Sequence, residues 1–113
     1  MEMNEYQTLA RRTAVYPDLG NNLVYPTLAL VDEAGEVAGK VKKLIRDKGK
    51  STPAELSAEE KQDLKKEVGD VLWYVATMAS ELDFTLEDVA QANLDKLKSR
   101  QERGQLHGSG DNR

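Results

Sequence analysis

Glu33-Ala34-Gly35-Glu36-Val37 and Glu67-Val68-Gly69-Asp70-Val71 are two copies of one pentad, Glu-x-Gly-acid-Val, and each sits inside a run of helical periodicity. Positions three apart share a helix face, so Glu33 with Glu36, and Glu67 with Asp70, form carboxylate pairs one turn long. Like charges at that spacing oppose the helix, and a mid-helix glycine costs about 0.8 to 1 kcal/mol against alanine. Both costs recur at matching places in the two copies. The pattern predicts two helices whose acid pairs face each other, with Gly35 and Gly69 clearing side chains where helices or a ligand approach closely.

Outward from the pentads, helical signals continue in both directions. Tyr25-Pro26-Thr27 opens the first pentad's helix, and Leu30, Ala34, Val37, Val41, Leu44 and Ile45 form its apolar stripe as far as Asp47 or Lys48, where Gly49 stops it. Ser57 and Glu60 make a capping box for the second, which carries Leu64, Val68, Val71, Leu72, Val75, Met78, Ala79 and Leu82. Lys50 to Ala58 reads as a polar connection between them. Upstream, Tyr6, Leu9, Ala10 and Thr13 mark a short helix from Met3 to about Ala14, and Tyr16 to Asn22 reads as a loop. Downstream, Thr85 and Asp88 cap a last helix with stripe Leu86, Val89, Ala90, Leu94 and Leu97, ending near Gly104. No strand is predicted. The class is all-α: a four-helix bundle-like subunit over residues 1–104, followed by a flexible tail over 105–113.

Composition narrows the chemistry. The chain has 113 residues, 39% hydrophobic and 32% charged, which is thin for a self-sufficient core and predicts association with further copies. There is no cysteine, which excludes thiolate zinc sites, and the single histidine, His107, lies in the tail, which argues against histidine catalysis. A net charge of -4 opposes attraction to nucleic-acid polymers. No apolar run is long enough to cross a bilayer and no leader pattern opens the chain, which predicts a cytoplasmic protein without a membrane partner.

Glu33, Glu36, Glu67 and Asp70 are hard oxygen ligands of the type that Mg2+ prefers, with Mn2+ a possible substitute. The same spacing also suits ordinary solvated acids on charged helices. Di-iron carboxylate bundles place glutamates on facing helices too, but they use Glu-x-x-His pairs, and no helix here contains histidine. Lys40 and Lys43 continue the first acid face, and Tyr74 continues the second. Cations beside a carboxylate-held metal suit a polyphosphate substrate, although Glu36 with Lys40 also reads as a surface pair. Asn93 interrupts the last helix's stripe, with Lys96 and Arg100 following, and an inward amide needs a partner in the protein or in a ligand. Trp73 and Tyr25 offer faces for a base and Gln7 a means of reading its edge, though a lone Trp is more often core or interface.

These residues resemble a known family. Tyr25 to Val37, Lys42-Lys43 and Glu67 to Tyr74 are similar to the MazG-like all-α nucleoside triphosphate pyrophosphohydrolases, and Asn93 to Arg100 resembles that family's C-terminal helix; together the likeness spans about residues 4–104. The family motif is Glu-Glu-x-x-Glu followed by Glu-x-x-Asp. Glu33, Glu36, Glu67 and Asp70 match it, while Asp32 stands where the motif begins with Glu. The resemblance implies Mg2+-dependent cleavage of (deoxy)nucleoside triphosphate to monophosphate and pyrophosphate, as nucleotide-pool housekeeping. It implies that the four acids hold metal, that Glu36, Glu67 and Asp70 are catalytic, and that Glu36 is the favoured acid to take the proton of the attacking water. Lys43, Lys96, Arg100 and Lys40 would steady phosphates, with Asn93 and Tyr74 orienting the sugar-phosphate. A homodimer or homotetramer is implied. The alternative is a helical module that keeps the bundle but only binds nucleotide or a protein partner.

Overall fold

The computed structural model describes residues 1–113, and it contains four α-helices and no strand: α1, Met3–Arg11; α2, Val24–Lys48; α3, Ala58–Glu81; and α4, Leu86–Glu102. The two long helices carry the pentads and form an antiparallel hairpin, the principal packing contact of the chain. Each hairpin end is shaped by local chemistry. Gly49 closes α2 at φ 63°, a left-handed conformation glycine adopts without cost, and its amide returns to Ile45. Ser57 caps α3 as expected, accepting from the Glu60 amide while Glu60 accepts from the Ser57 amide. The Glu60 carboxylate also takes Lys48 and Lys50 at 2.9 and 2.7 Å, so one side chain ties the end of α2 to the start of α3. Within the polar connection, Pro53–Glu55 forms a 3-10 turn capped by Thr52, in keeping with Thr-Pro-x-Glu as a capping pattern.

The first helix ends earlier than its periodicity predicts. Thr13 and Ala14 close back onto Ala10 and Arg11 in tight turns, and the Thr13 hydroxyl donates to the Ala10 carbonyl, using an acceptor that a continuing helix would need. At the other corner, Asp83 takes φ 60° and the Phe84 amide reaches back to the Ala79 carbonyl, a left-handed helix stop made with Asp in place of Gly. Thr85 then caps α4 with Asp88, as expected. Gln7 of α1 clips this corner, donating to Ser80 Oγ and the Phe84 carbonyl and accepting from the Leu86 amide.

Four helices are present, but they do not close around one core within the chain. α1 and α4 pack against α3, with no comparable contact to α2. The radius of gyration is 16.9 Å, against about 13 Å for a compact domain of this length. Only nine of 113 residues are buried, and of the large apolar side chains only Tyr16, Leu86 and Pro26 are among them. Much of the predicted stripe is open to solvent, including Val41, Ile45, Val68, Leu72, Leu94 and Leu97. Gly35 and Gly69 differ from expectation in the same way. A methyl at either would meet nothing within 4 Å, so neither marks a close helix contact inside one chain. Leu28, Val31, Gly35, Ala38 and Ile45 share one exposed face of α2, and Val68, Gly69 and Leu72 an exposed face of α3. The residues read as core from spacing are therefore shared between an inner face, which the hairpin covers, and an outer one, which it leaves bare.

Candidate active site

The hairpin register brings the two pentads together. Carboxylate oxygens of Glu33 on α2 and of Glu67 and Asp70 on α3 all lie within 4.8 Å of one another. Asp70 is exposed and the two glutamates are half-buried. Burial first, then Asp70, Asp32, Glu36 and Glu67, push the Glu33 carboxyl above its ordinary range. The neighbouring carboxylates thus disfavour the charge on Glu33, and a divalent cation would reverse that sign.

The donor set fits such an ion. Oxygens around a small divalent metal at about 2.1 Å lie roughly 3 to 4 Å apart, a spacing that a trio held within 4.8 Å can reach. Glu36, the fourth predicted ligand, is exposed and lies outside the trio. Lys40 reaches across the hairpin to Glu67 at 3.0 Å. The hydrogen bond to Glu67 chiefly, then the charges of Glu67, Asp63 and Glu36, raise its pKa.

Two clefts adjoin the acids. One, of about 310 Å³, is lined by Glu33, Asp70, Thr13, Trp73 and Tyr74. Trp73 is held there by its Nε1–H bond to Thr13 Oγ1 at 2.9 Å and by edge contact with Tyr74, 4.7 Å between ring centres. Burial first, then Tyr25, Glu33 and Asp32, push the Tyr74 phenol up. Tyr25 stacks on Tyr16 at 5.1 Å. The other cleft, about 220 Å³, runs along the hairpin past Lys40, Lys43, Asp47 and Lys48 of α2, with Glu60 and Asp63 of α3 opposite.

The predicted residues on α4 are elsewhere. Asn93 and Lys96 line a separate cleft with Leu82, Phe84 and Val89. Arg100 is buried beneath the chain's C-terminal residues, where its guanidinium donates to the carbonyls of Gly110 and Asp111. Asp111 also lies 3.5 Å from both Lys96 and Arg100. Gln7 is spent on the α3–α4 corner, and that geometry gives it no base edge to read. Thr13 and Tyr6 were not singled out from sequence. Thr13 lines the aromatic cleft, and burial together with Asp70 pushes the Tyr6 phenol up. Neither residue falls in a motif; only α1's packing on α3 brings them to the site.

The family model of the MazG nucleotide pyrophosphohydrolase domain matches residues 26–104, a span that holds both pentads and all of α4. The chain belongs to the MazG family. Gene 37 protein of Mycobacterium phage L5 is a full-length relative, 48% identical over 118 aligned residues and covering 100% of both chains. The uncharacterized protein YvdC of Bacillus subtilis (strain 168) is 39% identical over 72 residues, 63% of this chain and 68% of its own. No solved structure matches. The MazG match takes in Glu33, Glu36, Glu67 and Asp70, and it leaves α1, with Thr13 and Tyr6, outside the matched span.

Proposed function

We propose that the protein is a Mg2+-dependent nucleoside triphosphate pyrophosphohydrolase that cleaves (deoxy)nucleoside triphosphates to monophosphate and pyrophosphate in nucleotide-pool housekeeping. The convergence of Glu33, Glu67 and Asp70 from two helices, at positions within the MazG match, carries this reading. Bound there, the metal would offset charge on the phosphate oxygens and make water a better nucleophile; Mn2+ would serve similarly. Glu36, outside the trio yet one turn from Glu33, takes the proton of that water. Lys40 and Lys43 meet the β and γ phosphates along the lysine-lined cleft, and Trp73, Tyr74 and Tyr25 form the side where sugar and base sit. No helix is long and apolar enough to cross a membrane.

The assembly in this reading is a homodimer or homotetramer formed through the exposed apolar face of the hairpin. Asn93, Lys96 and Arg100 then reach the nucleotide from α4 of a second copy, with Asp111 giving way to phosphate.

Incubation with each standard (deoxy)nucleoside triphosphate and Mg2+, followed by product separation, tests the reaction. Monophosphate with pyrophosphate, lost on chelation, is the expected result. Diphosphate with orthophosphate would overturn the choice of bond, and nucleotide bound without turnover would favour the non-catalytic binding module.

Lys40 gives a sharper expectation. Its ammonium competes with metal for Glu67 in the free protein and meets phosphate in the complex. Lys40→Met should tighten Mn2+ binding in calorimetric titration without nucleotide by about threefold, while raising KM about tenfold. Movement of both affinities in the same direction would contradict this dual role.

A further inference from the structure

Glu81 is the last residue of α3 and belongs to neither pentad, yet its side chain is only 1% exposed. Four groups converge on it. Oε1 accepts from the Tyr16 hydroxyl, from Arg11 at 3.3 Å and from the Gly20 amide at 3.0 Å, and Oε2 accepts from the Asn22 amide at 3.2 Å. Burial opposes the charge, but the donors outweigh it and hold the carboxyl down at about 2. The loop is shaped to reach it: Asp18 and Gly20 take φ 55° and 91°, which turns the Gly20 and Asn22 amides toward one carboxylate.

What this loop carries leads back to the site. Asn22 caps the start of α2, its Oδ1 accepting from the Tyr25 amide at 3.0 Å. Tyr16, held by Glu81, lies flat against Tyr25, with ring planes 17° apart. Tyr25 adjoins Tyr74, which lines the cleft beside Glu33 and Asp70. We infer that Glu81 is a positioning residue for the nucleotide site: it pins the Tyr16–Asn22 loop to α3 and, through the Tyr16–Tyr25 stack and the Asn22 cap, sets the aromatic wall against which the nucleoside docks. This rests on the pyrophosphohydrolase reading for its kinetic consequence, though the clamp itself can be observed without turnover.

Glu81→Gln keeps the size but places an NH2 among donors, so part of the set loses its acceptor. Tyr16→Leu removes the stack while leaving Glu81 its other three donors. Both are measured at a temperature where circular dichroism shows the variant folded, with Ser57→Ala as a destabilised control remote from the loop. The expected result is a KM for nucleoside triphosphate raised about tenfold in Glu81→Gln and Tyr16→Leu, with kcat within about twofold, partial recovery in Glu81→Asp, and no KM change in Ser57→Ala. Hydrogen–deuterium exchange should quicken over residues 16–26 in Glu81→Gln. Unchanged exchange there would overturn the clamp whether or not the protein hydrolyses nucleotides. Faster exchange with an unchanged KM would reduce Glu81 to a stabilising residue. Absence of pyrophosphate release from the unsubstituted protein would instead sink the functional reading, with the exchange result still deciding the clamp.

Discussion

Asp70→Asn is expected to lower kcat for pyrophosphate release about a thousandfold while making the metal-free protein more stable. The two effects have one cause. In the free protein Asp70 has no hydrogen-bond or ion-pair partner and faces Glu33 and Glu67, so its charge contributes repulsion and nothing that offsets it. Removing that charge should stabilise the fold by about 0.5 kcal/mol, the scale of one like-charge pair. In the proposed enzyme the same charge would hold the metal, and a thousandfold loss corresponds to about 4 kcal/mol of transition-state stabilisation. Glu67→Gln should lose activity similarly but gain little stability, because it also gives up the 3.0 Å contact with Lys40. Thermal melts with and without Mg2+ separate the cases. Added metal should raise the melting temperature of the unsubstituted protein and leave Asp70→Asn nearly unmoved. A variant that lost stability together with activity would mark Asp70 as structural and overturn its place in the metal set.

The helices and the opposed acids were legible because their signals are local. Ser57 with Glu60 and Thr85 with Asp88 state the starts of α3 and α4 in four residues each, and Gly49 states the end of α2. The pentads repeat at one period, so a hairpin of nearly matched helices brings Glu33 to Glu67 and Asp70 without further information. What stayed hidden depends on distant partners. Glu81 is the one charged residue in the last turn of α3, where an acid ordinarily faces solvent, and only the return of the Tyr16–Asn22 loop makes it buried. Gln7 offered an amide that sequence alone could not distinguish from a ligand contact until Ser80, Phe84 and Leu86 were seen around it. Periodicity read the Asn93 amide as inward, with Lys96 and Arg100 following, but within one chain Asn93 is exposed and Arg100 is covered by the C-terminal residues, because periodicity carries no information on which direction that helix leaves α3.

Val31→Lys and Leu72→Lys are each expected to convert the assembly to monomers, read as mass by light scattering, whereas Val15→Lys should leave it intact. Val31 and Leu72 are 68% and 42% exposed on the hairpin's bare face, while Val15, 91% exposed, lies in the loop after α1. Apolar side chains at such positions contribute about 1.5 kcal/mol each when a partner covers them, and an ammonium in their place must also be desolvated, so weakening of a hundredfold or more is expected. Gly35 and Gly69 give the face its shape. With no atom within 4 Å of a methyl at either place, they would leave room for a second hairpin's backbone. Such an assembly would account for a glycine at both mid-helix positions, where the helices of one chain give no reason for it. Gly35→Leu, which improves helix propensity, should therefore raise the helicity of the isolated chain yet weaken association. An unsubstituted protein that ran as a monomer would refute the assembly, and the acid cluster would then have to work with the side chains of a single chain, without Asn93, Lys96 and Arg100.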